Sequence, residues 1–514
     1  MSEPGSLASR TARGLTWSYG AILIQIGLVF LLTVTLARLL TPTEFGLVAA
    51  ANVVIGFGQY FAQLGLGQAL VQRASIDDRD IRVTFASALG LGVVFYAVCW
   101  LVAPGAAVVF HHESIVPVLR VLGLVFVGSA LSVTSSALLR RELRIRTMMI
   151  VDVAAFAFGY AAPALTLAAL GAGAWSLVAG YVTQSFATAI GYYAVTRHPL
   201  RPVWDRAVVG RLYSFGSRVS VIGFFEFLAG NLDSLWTGHV LGTRKLGLYN
   251  RAFNLVSVPV FYAWSSFAKV GTSSFSRIQS DRERIRTVFL PVLTVFLALT
   301  WPALWGLAGA SHVLVAVLLG ARWRASAAPL SVLALAAPLW LAACLVGMLC
   351  QATARLSAQL RISGSQVVLL VVLLALLGRS SIVGVAAAIA ISQTWAFVWY
   401  LRAMARFLGC DRTALAAVLA PGAAAGVLAG GACLALSAAQ HAGLLSLAGA
   451  LALQVAAGLV ISAAVLLRGF RGRVWRQARG LADATIGEGP SVVVRVLTVL
   501  DGLAASPASA GERG

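Results

Sequence analysis

A chain of 514 residues in which 59% of the residues are hydrophobic and only 11% are charged is not a water-soluble protein, because soluble domains carry charge on roughly 25% of their residues. A net charge of +21 would suggest nucleic acid as a partner of a soluble protein. Here the basic residues are concentrated in alternating loops between apolar runs, so the charge reports membrane topology and we expect no nucleic acid partner.

Fourteen apolar runs of about 20 residues follow one another along the chain, and that length spans the hydrocarbon core of a bilayer as a helix. The runs are too long and too apolar for barrel strands. The sequence therefore predicts an all-α, polytopic membrane protein with about 14 transmembrane helices. The predicted spans lie at about 15–37, 46–71, 83–103, 115–137, 148–170, 174–196, 211–240, 247–270, 287–309, 327–350, 362–378, 382–401, 413–437 and 443–467. The longest irregular outward loop is expected at 309–326.

The basic residues are distributed unevenly between the two sides that these spans define. The side that holds both termini carries 29 of the 39 Lys and Arg residues, and the opposite side carries six. Because Lys and Arg are retained in cytoplasmic loops, we expect both termini in the cytoplasm. The preference for Ala, Gly and Arg over Lys is typical of a GC-rich bacterial genome. We expect the chain in the bacterial cell membrane.

The loops carry no motif for catalysis: the sequence holds no phosphate-binding GxxxxGK[ST] and no HExxH. The five cysteines do not have metal-ligand spacing. His111, His112 and Glu113 are interpreted as an exposed turn between two spans rather than a metal cluster. We therefore expect no enzyme activity, no metal and no cofactor.

One short turn occurs twice. LARLLTPTEFGL begins at Leu36 and TGHVLGTRKLGL begins at Thr237, and at an offset of 201 Gly46 falls on Gly247. Each copy joins the first two of six predicted spans, and both copies face outward. Parallel repeats of this kind build many secondary transporters. The alternative is a chance similarity between two turns of small residues.

The repeat predicts two lobes of six helices that are related by a pseudo-twofold axis along the membrane normal, with the substrate site near the midplane between them. A C-terminal helix pair and a partly disordered cytoplasmic tail follow. The predicted divisions are 1–200 for the N-lobe, 201–408 for the C-lobe, 409–470 for the helix pair and 471–514 for the tail.

Polar side chains within the predicted spans form the candidate site, because such groups are costly in lipid and usually mark a functional site. Helical spacing places those of the second span on one face, and those of the eighth span likewise. The candidate substrate-binding residues are Asn52, Gln59, Gln63, Arg218, Asn231, Arg251, Asn254, Tyr262 and Lys269. The candidates for coupling to Na⁺ or H⁺ are Glu226 and Asp233.

Each group also has a structural interpretation. Arg251 and Lys269 can extend to the lipid headgroups, the amides of the second span can form hydrogen bonds between helices, and the charges of the seventh span can form an ion pair. If the cations face a cavity, they favour an anionic ligand, because the guanidinium fork binds two oxygens of a phosphate or diphosphate at once.

Four stretches resemble polysaccharide transporters of the O-antigen-flippase type, which share a superfamily with the lipid II flippases and the multidrug and toxin extruders. These stretches are LARLLTPTEFGLVAAANVV (36–54), LGLGQALVQR (64–73), NLDSLWTGHVLGTRKLGLYNRAFNL (231–255) and LLGARW (318–323). The resemblance implies alternating access by two six-helix lobes and export of a polyprenyl-diphosphate-linked oligosaccharide. Membrane lipids, a polysaccharide polymerase and glycosyltransferases are the partners that it implies. Lipid II flippases place arginines in the first span, whereas this chain has none in that span before Arg38, which argues against a peptidoglycan precursor.

Two other functions fit parts of the pattern. An ion-coupled exporter of small molecules or drugs would share the fold, and an acidic cavity would favour it over the cationic cavity expected here. A membrane-embedded glycosyltransferase or polymerase would need a sizeable outward loop with acidic or Arg motifs, and the predicted outward loops are short.

Overall fold

The structure is a computed structural model that describes residues 27–63, 66–72, 76–201, 203, 205, 230–279, 281–353 and 355–470. All regular secondary structure within these ranges is helical. Nine helices in the described part are long and apolar enough to cross a membrane, and a shorter apolar helix, α1, occupies Gly27–Leu39. The prediction of an all-α polytopic membrane protein is confirmed, and the count of about 14 spans stays a prediction.

The contacts within the chain divide it into two compact units, Met1–Asn250 and Arg251–Gly514. The two units do not test the four predicted segments. Their boundaries at 200, 408 and 470 stay a prediction. In the first unit the helices after α1 are α2 Pro42–Gln63, α3 Leu66–Gln72, α4 Asp78–Phe110, α5 Ile115–Leu122, α6 Leu124–Arg141, α7 Ile145–Ala154, α8 Ala162–Ala169, α9 Ala174–Thr196 and α10 at 230–236.

Two π-helical segments interrupt these helices, at Ala155–Ala161 and Thr237–Leu241. Helix α11, Thr243–Arg277, contains the boundary between the units. The remaining helices are α12 Arg282–Leu318, a 3₁₀ turn Ala321–Ser326, α13 Ala327–Ala352, α14 Leu356–Leu377, α15 Ile382–Leu408, α16 Arg412–His441 and α17 Leu447–Phe470.

Each predicted span overlaps a helix where the structure describes it, although the ends differ by several residues in places. The span predicted at 174–196 is α9 itself. The expectation of an irregular loop at 309–326 is wrong for its first half, because α12 continues to Leu318. Gly309 lies in close backbone contact with Gly430 of α16, and its carbonyl accepts a hydrogen bond from Ser437 at 3.0 Å. These contacts stabilise residues 309–318 as a helix, where the sequence predicted an irregular loop.

Polar side chains fix where several helices begin. The Asp77 carboxylate accepts the amide of Asp80 at 2.7 Å at the start of α4, and the Asp281 and Asp411 carboxylates each accept an amide at 2.9 Å at the starts of α12 and α16. At α2 the amide and hydroxyl of Thr41 both donate to the Glu44 carboxylate, at 2.6 and 2.9 Å. Each cap satisfies backbone or side-chain groups that the first helical turn leaves without a partner.

Helices pack through small residues in both units, as is usual in membranes. In the first unit α4, α6 and α9 pack together, and a β-carbon on Gly92 would lie 2.6 Å from the β-carbon of Ala130. In the second unit α12 packs along α16, where Gly422 and Gly426 accommodate the indole of Trp301. The core of that unit lies among α12, α13 and α15.

A buried hydrogen-bond network joins the last two helices to α12. Gln454 of α17 is 2% exposed, and its amide donates to the Cys433 carbonyl and to the Ser437 hydroxyl, both at 2.9 Å. Ser437 donates in turn to the Gly309 carbonyl. The network therefore links three helices through one side-chain amide.

Gln454→Leu removes both of these donors while keeping the side-chain volume. We expect it to lower the free energy of unfolding by about 1 kcal/mol, the usual size of an interhelical hydrogen bond in membranes. Thermal unfolding of purified protein measures the change. Ser462→Ala is the matched control, because that hydroxyl donates only to the Gly458 carbonyl of its own helix, at 2.7 Å. Equal midpoints for the two variants would contradict the role of Gln454.

A buried histidine gives the first unit a predicted pH dependence. His198 follows α9 and is 5% exposed, with its Nε2 3.0 Å from the hydroxyl of Ser135 and its ring against Phe85 and Tyr193. Because the Pro199 carbonyl near Nδ1 can only accept, Nδ1 carries the proton and Nε2 accepts from Ser135. Burial lowers the pKa of His198 below its ordinary value of 6.5, so folding favours the neutral imidazole.

The stabilisation by neutral His198 is complete above pH 6.5 and is lost as the pH falls through the lowered pKa of the folded state. We expect the unfolding midpoint of the wild type to fall between pH 7 and pH 5 by roughly 1–2 °C more than that of His198→Phe, which keeps an aromatic ring without a titrating group. Parallel pH profiles for the two proteins would show that His198 does not set this dependence.

Candidate functional site

Two side-chain amides lie on one face of α2 without a hydrogen-bond partner among the described residues. Asn52 and Gln59 are seven residues apart in a continuous helix, and both are half-buried. Neither side chain forms a hydrogen bond with any residue that the structure describes, so no bond to another described helix is present at these two positions. Gln63 closes the same helix, and its side chain lies outside the described residues.

Other polar side chains of the membrane helices, in contrast to Asn52 and Gln59, are paired with each other. Gln366 of α14 donates to Gln393 of α15 at 3.2 Å, and Ser363 and Tyr400 of the same helices are 3.1 Å apart. Those groups satisfy one another and hold two helices together. Asn52 and Gln59 retain their donors and acceptors for water or a polar solute.

Asp233 of α10 is buried four residues before the second copy of the repeated turn. It is 4% exposed, and its carboxylate accepts a hydrogen bond from the hydroxyl of Tyr249, which is fully buried in α11. The hydroxyl of Thr237 donates to the Asp233 carbonyl at 2.6 Å. The carboxylate therefore joins α10 to α11 across the π-helical turn, and its partner is a neutral phenol.

The side chains of three other predicted residues are described by the structure, and those of four are not. Asn231 of α10 and Arg251 and Asn254 of α11 are half-buried, and the first belongs to one compact unit while the other two belong to the second. Arg218 and Glu226 lie outside the described residues. Tyr262 and Lys269 belong to α11, and their side chains lie outside the described residues.

The two copies of the repeated turn contact each other at their glycines. A β-carbon on Gly46 would overlap the carbonyl oxygen of Thr243, and a β-carbon on Gly247 would overlap that of Pro42. Pro42 corresponds to Thr243 at the same offset of 201 that relates the two glycines. A reciprocal contact of this kind is the signature of twofold-related segments, and chance similarity does not explain it.

The second turn also packs against the end of α4. His239 lies 2.7 Å from the carbonyl of Val109 through Nδ1, and its ring stacks on that of His111 with the ring centres 5.5 Å apart. His111 itself adopts a left-handed conformation with φ of 52° as the cap of α4. His111 and Glu113 are exposed in a turn, as predicted, and His111 also contacts the π-helical segment through His239.

One cation within a span was not among the predicted site residues. Arg120 of α5 is half-buried and its guanidinium lies 4.1 Å from the ring centre of Trp100, whose indole donates to Tyr96 at 3.1 Å. A lone Arg in the fourth predicted span was visible in the sequence and could have signalled this site. The pair has the geometry of a cation–π contact.

The described part of the site offers polar groups that can bind a polar solute. Within the described ranges, His, Cys, Asp and Glu side chains nowhere cluster in threes as a metal site requires. The amides of α2 offer hydrogen bonds, and the buried Asp233–Tyr249 pair offers a titratable group inside the membrane helices.

Comparisons with known proteins agree with this architecture. The family model described as "Polysaccharide biosynthesis protein" matches residues 35–328. The lipopolysaccharide biosynthesis protein WzxC of Escherichia coli (strain K12) is 26% identical over 325 residues, which cover 62% of this chain and 65% of WzxC. The match thus spans slightly less than two thirds of that relative.

Two solved structures have the same fold. A lipid II flippase MurJ in an inward closed conformation superposes with a TM-score of 0.67 and 12% identity, over 88% of this chain and 99% of MurJ. An inward-facing multidrug resistance transporter of the MATE family superposes with a TM-score of 0.59 and 15% identity, over 75% of this chain and 95% of the transporter. At these identities the likeness establishes the fold. Since the family model covers more than half of the sequence, the chain belongs to the family of polysaccharide biosynthesis proteins.

Proposed function

We propose that the protein is a flippase that moves a polyprenyl-diphosphate-linked oligosaccharide from the cytoplasmic to the outer leaflet of the bacterial cell membrane. The observation that carries the proposal is the combination of a polysaccharide biosynthesis family with the fold of a lipid II flippase. The substrate is an intermediate of polysaccharide assembly, such as an O-antigen or exopolysaccharide repeat unit. Both termini face the cytoplasm in this proposal, because the basic loops do.

The physical task is to carry a polar head group through hydrocarbon. A diphosphate and several sugars are too costly to bury in lipid without partners, whereas the polyprenyl chain is already soluble there. A membrane cavity that offers hydrogen bonds lowers the barrier with no bond made or broken, so the protein needs no catalytic residue. Asn52 and Gln59 supply hydrogen bonds to sugar hydroxyls in this proposal. Arg251, which belongs to the second unit, stays by itself a candidate for binding the diphosphate.

Directionality requires a source of free energy, and Asp233 is the proposed coupling group for H⁺ or Na⁺. Its carboxylate is buried, and a neutral phenol is its side-chain partner. A buried carboxyl changes its protonation when its surroundings change, which is how an ion gradient would bias one conformation. Glu226 stays the second candidate. A polymerase and glycosyltransferases of the same pathway are the proposed partners.

The test is the distribution of lipid-linked oligosaccharide between leaflets after depletion of the protein in its host. We expect build-up on the cytoplasmic face, reproduced by the double variant Asn52→Ala/Gln59→Ala and by Arg251→Ala at normal protein levels. Gln366→Ala is the matched control, because that amide is bonded to Gln393. No build-up on either face, together with retention of a cationic drug in depleted cells, would replace the flippase by an ion-coupled exporter.

A further inference from the structure

Two arginines of the second unit lie over the same buried aromatic ring. The guanidinium carbon of Arg355 is 3.9 Å from the ring centre of Phe407, and that of Arg282 is 5.3 Å from it. Phe407 is 8% exposed, whereas both arginines are exposed. The ring therefore holds two like charges close together at the surface of the unit, where they repel each other.

No carboxylate among the described residues pairs with either arginine. The nearest acidic side chains in sequence are otherwise engaged: Asp281 caps α12 at the amide of Arg284 at 2.9 Å, and Glu283 lies 4.0 Å from Arg286. Arg286 therefore has a carboxylate partner, whereas Arg282 and Arg355 have none among the described residues, although all three lie on the same side of the predicted membrane. An anion from outside the chain would relieve the repulsion between Arg282 and Arg355.

Arg355 and Phe407 border a small open depression of about 20 Å³ whose walls are mainly apolar. Leu349, Ala403 and Met404 line it, together with Phe407 and the exposed Arg355. A free phosphate needs charges and donors, and it gains nothing from an apolar wall. A guanidinium beside an apolar depression fits an amphiphile with an anionic head and a hydrocarbon chain.

The position within the predicted topology agrees with this chemistry. Arg282 opens α12, Arg355 directly precedes α14, and Phe407 lies in the last turn of α15. The basic loops predict that all three helix ends lie at the cytoplasmic face. That leaflet carries the anionic lipids which attract basic sites between membrane helices.

We propose that Arg282 and Arg355, held by Phe407, bind the phosphate group of a membrane lipid at the cytoplasmic face, with the start of its hydrocarbon chain against the adjacent apolar side chains. Two lipids have this chemistry: an anionic phospholipid of the leaflet and a polyprenyl diphosphate. The first source is independent of transport, and the second rests on the proposed function. The site is separate from the polar face of α2.

Native mass spectrometry of the full-length protein in detergent tests the site, with phosphatidylglycerol, phosphatidylcholine and undecaprenyl diphosphate as probes. Wild type is compared with Arg282→Gln/Arg355→Gln and with Arg286→Gln, the control that removes an equally placed cation with a carboxylate partner. We expect the double variant to bind phosphatidylglycerol about tenfold more weakly than wild type, since charge-assisted hydrogen bonds to the phosphate are lost. Binding by Arg286→Gln and binding of phosphatidylcholine should be unchanged.

The lipid-free unfolding midpoint of each variant shows that it is folded, and Arg282→Lys/Arg355→Lys adds a variant that keeps both charges. Tighter binding of undecaprenyl diphosphate than of phosphatidylglycerol supports the site and assigns it to the carrier lipid. Equal binding supports the site and assigns it to the bulk lipid. Equal retention of phosphatidylglycerol by wild type and by the folded glutamine variant, or an equal loss in Arg286→Gln, overturns the proposal.

Discussion

Replacing Gly46 or Gly247 by alanine is expected to destabilise the protein and to abolish transport, although each change adds a single methyl group. The β-carbon of either alanine would occupy the position of a backbone carbonyl oxygen on the opposing helix, Thr243 in one case and Pro42 in the other. It would also lie within 3 Å of an opposing amide nitrogen, at 2.9 and 2.8 Å respectively. A flexible side chain could move aside, but a helix backbone cannot do so without separating the two helices.

Overpacking of this kind costs about 1–3 kcal/mol and occasionally more. The upper part of that range is expected here, because the contact is reciprocal and both helices must move together. The double variant Gly46→Ala/Gly247→Ala should cost less than the sum of the two single changes, since the first alanine already separates the helices. Unfolding midpoints of the purified variants, and transport at equal protein levels, measure the effect.

Gly90→Ala is the control for these variants. Gly90 lies within α4, and a β-carbon there would meet nothing within 4 Å. Alanine in a helix interior is favoured over glycine by roughly 0.5–1 kcal/mol, so this change should be neutral or stabilising. If Gly46→Ala behaved like Gly90→Ala, the two turns would not be in backbone contact and the repeat would have no packing role.

Tyr249→Phe is the second change with a large expected effect. It removes the donor to the Asp233 carboxylate, which is 4% exposed and would be left without that hydrogen bond. Loss of a bond to a buried charged group costs about 1.5–3 kcal/mol, so we expect a marked fall in the unfolding midpoint. Tyr181→Phe is the control, because that residue is 36% exposed and its hydroxyl bonds to none of the described residues.

Asp233→Asn separates stability from ion coupling. The amide oxygen still accepts from Tyr249, so the variant should unfold near the wild-type midpoint. It carries no titratable group, so transport by this variant should no longer respond to a gradient of H⁺ or Na⁺ across a liposome membrane. A stable Asp233→Asn protein that keeps the response of the wild type would leave Asp233 as a hydrogen-bond acceptor only, and Glu226 would become the coupling candidate.

The membrane helices could be read from the sequence because their apolar length is their defining property. The span predicted at 174–196 and the start of α15 at Ile382 are found where hydropathy placed them. The helical stretch at 309–318 could not be read, since its structure depends on contacts of Gly309 with α16. Hydropathy reports burial in lipid, and it does not report packing between helices.

The candidate site shows the same limit. Helical spacing predicted that Asn52 and Gln59 share a face, and both lie in the continuous helix α2. That their amides have no partner among the described residues depends on neighbours that the sequence does not specify. The repeated turn was visible at its offset of 201, whereas the reciprocal contact of Gly46 and Gly247 required coordinates. The arginine pair on Phe407 was invisible, because its three members are far apart in the chain and meet only at helix ends.

The most direct measurement of the central claim is transport by the purified protein alone. Liposomes would contain the protein and a fluorescent polyprenyl-diphosphate oligosaccharide, and a membrane-impermeant quencher would report the fraction exposed outside. If the protein is a flippase, we expect rapid exchange between leaflets in these liposomes and slow exchange in protein-free liposomes. Exchange with Asn52→Ala/Gln59→Ala should be at least tenfold slower than with wild type. If folded and inserted protein gave the same exchange rate as protein-free liposomes, the result would contradict the proposed flippase function.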